Sequence, residues 1–131
     1  MLGPLLLAKC WFGGPLTLQD ATTRLINLHG SHIAGLDGDR LTADGGVFLR
    51  NGFHATGEVR LIGANIDGDL VCRDGAFQNP DGDALSGHRL KTTGSVFLDG
   101  EFRACGAVRL VGAKVGGDLQ CGKLRRTNGK F

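Results

Sequence analysis

The sequence predicts an all-β fold, a right-handed parallel β-helix made of units of about 11 residues with two units per coil. Three observations predict it. The segment 36–72 recurs over 85–121 at a displacement of 49 residues, with VFLRNGFHATGEVRLIGANIDGDLVC (47–72) over VFLDGEFRACGAVRLVGAKVGGDLQC (96–121) and about half the positions identical. Inside that repeat, apolar residues come in pairs separated by one residue, every 10 to 12 positions. Glycine makes up 23 of the 131 residues, and no i, i+3, i+4 pattern survives that density, which disfavours helix throughout.

The elements follow in order. The pairs are Leu5/Leu7, Leu16/Leu18, Ile26/Leu28, Val47/Leu49, Val59/Leu61, Leu70/Cys72, Val96/Leu98, Val108/Leu110 and Leu119/Cys121, while Leu36 and Leu85 fill the two remaining slots, each with Gly two residues on. Each pair reads as a strand of three residues pointing in, out and in. A further inward apolar residue comes a few positions later, beyond a glycine-marked corner: Phe12, Ile33, Leu41, Phe53, Ile66, Phe77, Leu90, Phe102 and Val115. Parallel crossovers within one sheet are right-handed in about 98% of cases, which sets the expected hand. One longer step, from Leu70 to Leu85, holds Gln78-Asn79-Pro80-Asp81-Gly82 as an insertion. Eleven slots make about five and a half coils in a single domain, 1–131, with a basic tail over 123–131. Either the ends of such a stack associate, or the chain is one section of a longer array.

Composition excludes several classes. No apolar run reaches the roughly 18 residues of a membrane-spanning helix. The stretch 1–8 lacks a basic leader, and Leu5 and Leu7 already belong to the repeat, so a signal peptide is not expected. Cys10, Cys72, Cys105 and Cys121 form no CxxC pair and no dense framework, which points to a reduced, cytoplasmic chain. The formal net charge is +2, and setting aside Lys123, Arg125, Arg126 and Lys130 leaves the body at about −2. Such a body is neither a basic nucleic-acid binder nor acidic enough to mimic DNA.

No catalytic, cofactor-binding or metal-ligating set is expected. Cys72 and Cys121 fall in one inward slot two coils apart, beyond disulfide reach, and read as small buried hydrophobes. Cys10 is placed in a small-residue corner with Ala21 and Ser31, and Cys105 in an exposed turn. His29, His32, His54 and His88 fall at no shared slot, leaving His29 and His32 as the one pair close in sequence. Asp37-Gly-Asp39 and Asp81-Gly-Asp83 fit turn chemistry better than a calcium loop. Asp69 and Asp118 stand two coils apart with Ser95 between them, too far for a retaining carboxylate pair. The glycines required for a dinucleotide-binding GxGxxG turn are missing, since no two are separated by a single residue.

The outward positions carry more. One face presents Leu6, Asn27, Phe48, Val71, Phe97 and Gln120, and the other Thr17, Asp37, Arg60, Ser86 and Arg109. Because 49 residues equal two coils, Phe48, Val71 and Phe97 stand on successive coils as an apolar stripe, the candidate interface.

GEVRLIGANIDGDLVC and AVRLVGAKVGGDLQC resemble the repeats of actinobacterial pentapeptide-like proteins, a family often labelled oxidoreductase or membrane-associated oxidoreductase. The resemblance covers nearly the whole chain. It implies a β-solenoid and a bacterial setting, with membrane association on that ground alone, and it brings no catalytic motif to any residue here. The functional expectation is a non-catalytic scaffold for protein–protein interaction or self-assembly. The alternatives are an oxidoreductase component that needs other domains or a cofactor, and a topoisomerase-directed DNA mimic.

Overall fold

The structure is a computed structural model and describes residues 3–121 together with the two-residue strand Arg125–Arg126. The chain is a β-solenoid of about 5 turns with no helix among the described residues. All strand pairing is parallel, and each rung pairs with the rung one turn away. A turn takes 20 residues from Leu16 to Leu36 and 27 from Ala76 to Arg103, where the insertion is accommodated.

Each coil has four sides. The first carries Leu5–Leu6, Ile26–Asn27, Val47–Phe48, Leu70–Val71, Val96–Phe97 and Leu119–Gln120. The third carries Leu16–Thr17, Leu36–Asp37 and Val59–Arg60, and the fourth Thr22–Thr23, Thr42–Ala43, Asn65–Ile66, Lys91–Thr92 and Lys114–Val115. On the second side lie His32–Ile33 and His54–Ala55. The long strands Ala76–Ser86 and Arg103–Arg109 turn from the second side onto the third and join the two. From sequence, the segments after each apolar pair are expected to be corners with one inward residue. In the structure many of them are strands of two residues, so the cross-section is a quadrilateral.

Inside, the four sides share one packing rule, and it explains why the sequence repeats at two coils instead of one. The turn holding Val47/Leu49, Phe53/Ala55, Val59/Leu61 and Ala64/Ile66 is followed by one holding Leu70/Cys72, Gly75/Phe77, Leu85/Gly87 and Leu90/Thr92. The next turn returns to Val96/Leu98, Phe102/Ala104, Val108/Leu110 and Ala113/Val115. Across these coils a larger side chain mostly stacks on a smaller one, as Leu49 on Cys72, Phe53 on Gly75 and Leu61 on Gly87, whereas Leu28 stacks on Leu49 in the coil before. The rings of Phe53, Phe77 and Phe102 stack with centroids 5.3 Å apart along the second side, all fully buried. A Cβ at Gly87 would lie 2.7 Å from Leu110 Cδ2 and one at Gly38 2.9 Å from Leu61 Cδ2, so these leucines occupy the space each glycine leaves open.

The corner after the third side always turns through a left-handed residue, at Asp20, Arg40, Gly63, Arg89 and Gly112 in successive coils. Three of these five carry a side chain there, a conformation disfavoured for L-residues. The coil-to-coil hydrogen bonds fix it, as in Arg40 N–H to Ile62 O at 2.8 Å and Arg89 N–H to Val111 O at 2.9 Å. No helix among the described residues is long and apolar enough to cross a membrane.

Candidate functional site

The candidate stripe is built by the backbone register of the first side. Val71 pairs with Phe48 on one neighbour and with Phe97 on the other, and adjacent strands sit about 4.8 Å apart, so the three side chains form one column. All three point outward, because their strand partners Val47, Leu70 and Val96 are fully buried. Val71 is itself only 5% exposed, walled by the side chains beside it. Phe48 and Phe97 are half-buried.

Arginines provide much of that cover. The Arg50 guanidinium lies 4.7 Å from the centre of the Phe48 ring, and that of Arg73 lies 5.3 Å from the centre of Phe97. Arginine over an aromatic face is a favourable cation–π arrangement. The Phe48 ring also lies back over Gly46, where a Cβ would come within 2.7 Å of the ring. Asp99 holds Arg73 through contacts of 2.9 and 3.2 Å. Arg50 has no acidic partner among the described residues, and its Nε is buried without a hydrogen bond. On the opposite border of the stripe, Asp69 Oδ1 accepts from Ser95 N–H at 2.8 Å, and Ser95 Oγ accepts from Asp118 N–H at 2.9 Å. The 78–83 insertion lies away from this face. It forms part of Ala76–Ser86 and lines a small hollow with Gly106, Ala107 and Arg109.

The outward face of the third side is a charge ladder. Arg60 donates to Asp39 at 2.8 and 3.2 Å, and Asp39 also accepts from Ile62 N–H at 3.3 Å. Ser86 Oγ lies 2.5 Å from Glu58 Oε2 and 3.1 Å from Asp83 Oδ2. Arg109 donates to Asp83 at 2.7 Å. That bond, helped by the one from Ser86, holds the Asp83 carboxyl below the usual carboxylate range.

The other sequence candidates fall as follows. His32 does not meet His29. It shares a rung column with His54, the rings stacked at 5.2 Å, with Trp11 on its other face at 3.8 Å. His54 Nε2 reaches Gln78 Oε1 at 3.2 Å. The expectation of no shared histidine slot is therefore corrected; a rung of two residues gives no alternation in sequence by which to align it. Cys10 stacks on Ser31, whose Oγ accepts its N–H at 3.1 Å, and not on Ala21, which belongs to a different corner. Cys105 is half-buried in the strand Arg103–Arg109 opposite Gln78, not in an exposed turn. Cys72 is fully buried, and burial pushes its thiol up. Asp37 Oδ1 accepts from Asp39 N–H at 3.1 Å, a turn contact. Among the described residues no three His, Cys, Asp or Glu side chains gather as a metal-binding group. On the fourth side an open groove of about 400 Å³ runs past Thr42, Asp44, Asn65, Asp67, Lys91 and Lys114. In the basic tail, the backbone of Arg125–Arg126 pairs with Arg103–Ala104 as a further rung; Lys123, Leu124 and Lys130 lie outside the described residues. Two features of this face escape a sequence reading, Arg50 and Arg73. The available signal was their position two residues after Phe48 and Val71, on the same side of the sheet.

No family model matches the chain, and no curated protein or solved structure matches it.

Proposed function

We propose that this chain is a non-catalytic β-solenoid scaffold that associates with protein through the outward face of its first side. The observation that carries the reading is the aligned column Phe48–Val71–Phe97 with Arg50 and Arg73 lying on its rings. Aromatic residues and arginine are the side chains that concentrate binding energy in protein contacts. A regular stack of rungs holds them with little conformational freedom to lose, which lowers the cost of association. Kinship with the pentapeptide-like solenoids and work in the cytoplasm belong to the same proposal, supported by the repeat pattern and the cysteine usage.

The test is a photo-crosslinking amino acid, p-benzoylphenylalanine, at position 97 of the full chain in the producing cell. The expected result is a covalent adduct with a protein chain; its complete absence, with the fold intact, contradicts the reading. Calorimetry with NAD(P) and with zinc checks the non-catalytic part. Flat titrations are expected, and tight stoichiometric binding of either would favour an enzyme.

A further inference from the structure

We infer that the occupant of this face is a second copy of the chain, packed face to face about a two-fold axis running along the solenoid; the inference rests on reading the first side as a contact face. A two-fold contact brings one patch against itself, so the patch must be complementary to its own image. The stripe has two borders. Arg73 lies two residues after Val71 and Asp69 two residues before it, so the cation and the anion stand at equal distances on opposite sides of the central column.

Two isologous arrangements place the column on itself. With the axis along the solenoid, strands of the two copies run antiparallel and each coil meets its own counterpart. Phe48 then meets Phe48 and Phe97 meets Phe97, with Val71, only 5% exposed, lying beneath them. Arg73 of each copy, whose Nε and Nη2 stay on Asp99 of its own chain, turns Nη1 toward Asp69 of the other, which makes two symmetric ion pairs beside the column. With the axis along the strands, the coil order inverts about Val71. Phe48 then meets Phe97 and Arg50 faces Asp99, but beside the axis Arg73 faces Arg73 while Asp69 faces Asp69, two like-charge contacts of the kind that exclude a partner.

Local chemistry favours the first arrangement too. Asp69 spends Oδ1 on Ser95 N–H and carries no hydrogen bond on Oδ2 among the described residues. Arg50, which lacks an acidic partner among them, would face Asp99 in the second arrangement, but both Asp99 oxygens already accept from Arg73 of their own chain. Packed sheets lie about 10 Å apart, a gap that two layers of Phe and Arg side chains can fill.

The experiment is analytical ultracentrifugation of the full chain over a concentration series, with charge-reversal variants. Arg73→Asp and Asp69→Arg are each expected to raise the dimer dissociation constant by about tenfold or more, and the double variant Arg73→Asp/Asp69→Arg to recover most of the loss. Asp69→Asn keeps the acceptor for Ser95, so it should weaken the dimer without a change in melting if Asp69→Arg fails to fold. In the adduct formed from position 97, the attachment point is expected near 95–99 of the second copy. Attachment near 46–50, or dimers indifferent to all three charge changes, would overturn the axis. A wild-type monomer whose position 97 crosslinks to a different protein would overturn the second copy while leaving the contact-face reading standing. No adduct with any protein would end both.

Discussion

The first and third sides of the solenoid share a backbone, a register and an alternating interior, yet their outer surfaces are finished in opposite ways. On the third side, Asp39, Arg60, Glu58, Ser86, Asp83 and Arg109 satisfy one another from coil to coil. On the first side, Phe48, Val71 and Phe97 stand in a column, with Arg50 and Arg73 laid over the rings as partial cover. The lesson is that rung stacking amplifies whatever residue the outward position holds. Repeated charge produces a network of ion pairs and hydrogen bonds, and repeated apolar residues produce a stripe that neighbouring arginines partly cover.

The comparison can be broken most severely from within. Phe77 is fully buried beneath the second side, so Phe77→Ala is expected to cost about 3–5 kcal/mol. Phe97→Ala, on the outer face, should cost under about 1 kcal/mol. Urea unfolding of both variants checks the contrast, and equal losses would mean that inside and outside have been misassigned. A smaller effect is expected where the alternation itself is violated. Gly87→Val puts a side chain into the space of Leu110 Cδ2, and overpacking of this kind costs about 1–3 kcal/mol. The compensating pair Gly87→Val/Leu110→Ala should recover part of that loss.

The third-side ladder should matter less. Asp39→Ala removes the acceptor of Arg60 and of Ile62 N–H, for a loss of about 1–2 kcal/mol. Asp83 gives the smallest effect and the one with a pH signature. Its folded pKa is depressed by Arg109, so the stabilisation is present above the unfolded value of about 3.9 and fades as pH falls through the lower folded value. Asp83→Asn is therefore expected to be less stable than the parent by under about 1 kcal/mol at neutral pH. The difference should close in acid, as thermal melts from pH 7 to pH 2 would show.

Much of this was legible in the residues, and the remainder was hidden for identifiable reasons. The first and third sides announce themselves because the rungs there, Leu36 and Leu85 with their glycines excepted, are apolar pairs spanning one outward residue, from Leu5/Leu7 to Leu119/Cys121. The second and fourth sides were harder to see. Their inward residues alternate large and small between coils, so Ala43, Ala64 and Gly75 read as corner residues although they stand in register with Ile66, Leu41 and Phe53. His32 and His54 were separated by the same concealment. The outward stripe is legible because two coils equal 49 residues, but its arginine cover is not. Whether a long side chain lies along a neighbouring ring depends on rotamer and register, which the repeat alone does not state.

The central claim is that Phe48 and Phe97 serve contact and not the core, and the double variant Phe48→Ser/Phe97→Ser tests it most directly when thermal melting and sedimentation are measured on the same sample. The account predicts a melting temperature within a few degrees of the parent together with loss of association. A steep fall in melting temperature would return both rings to the interior, and unchanged melting with unchanged association would leave the first side as ordinary surface.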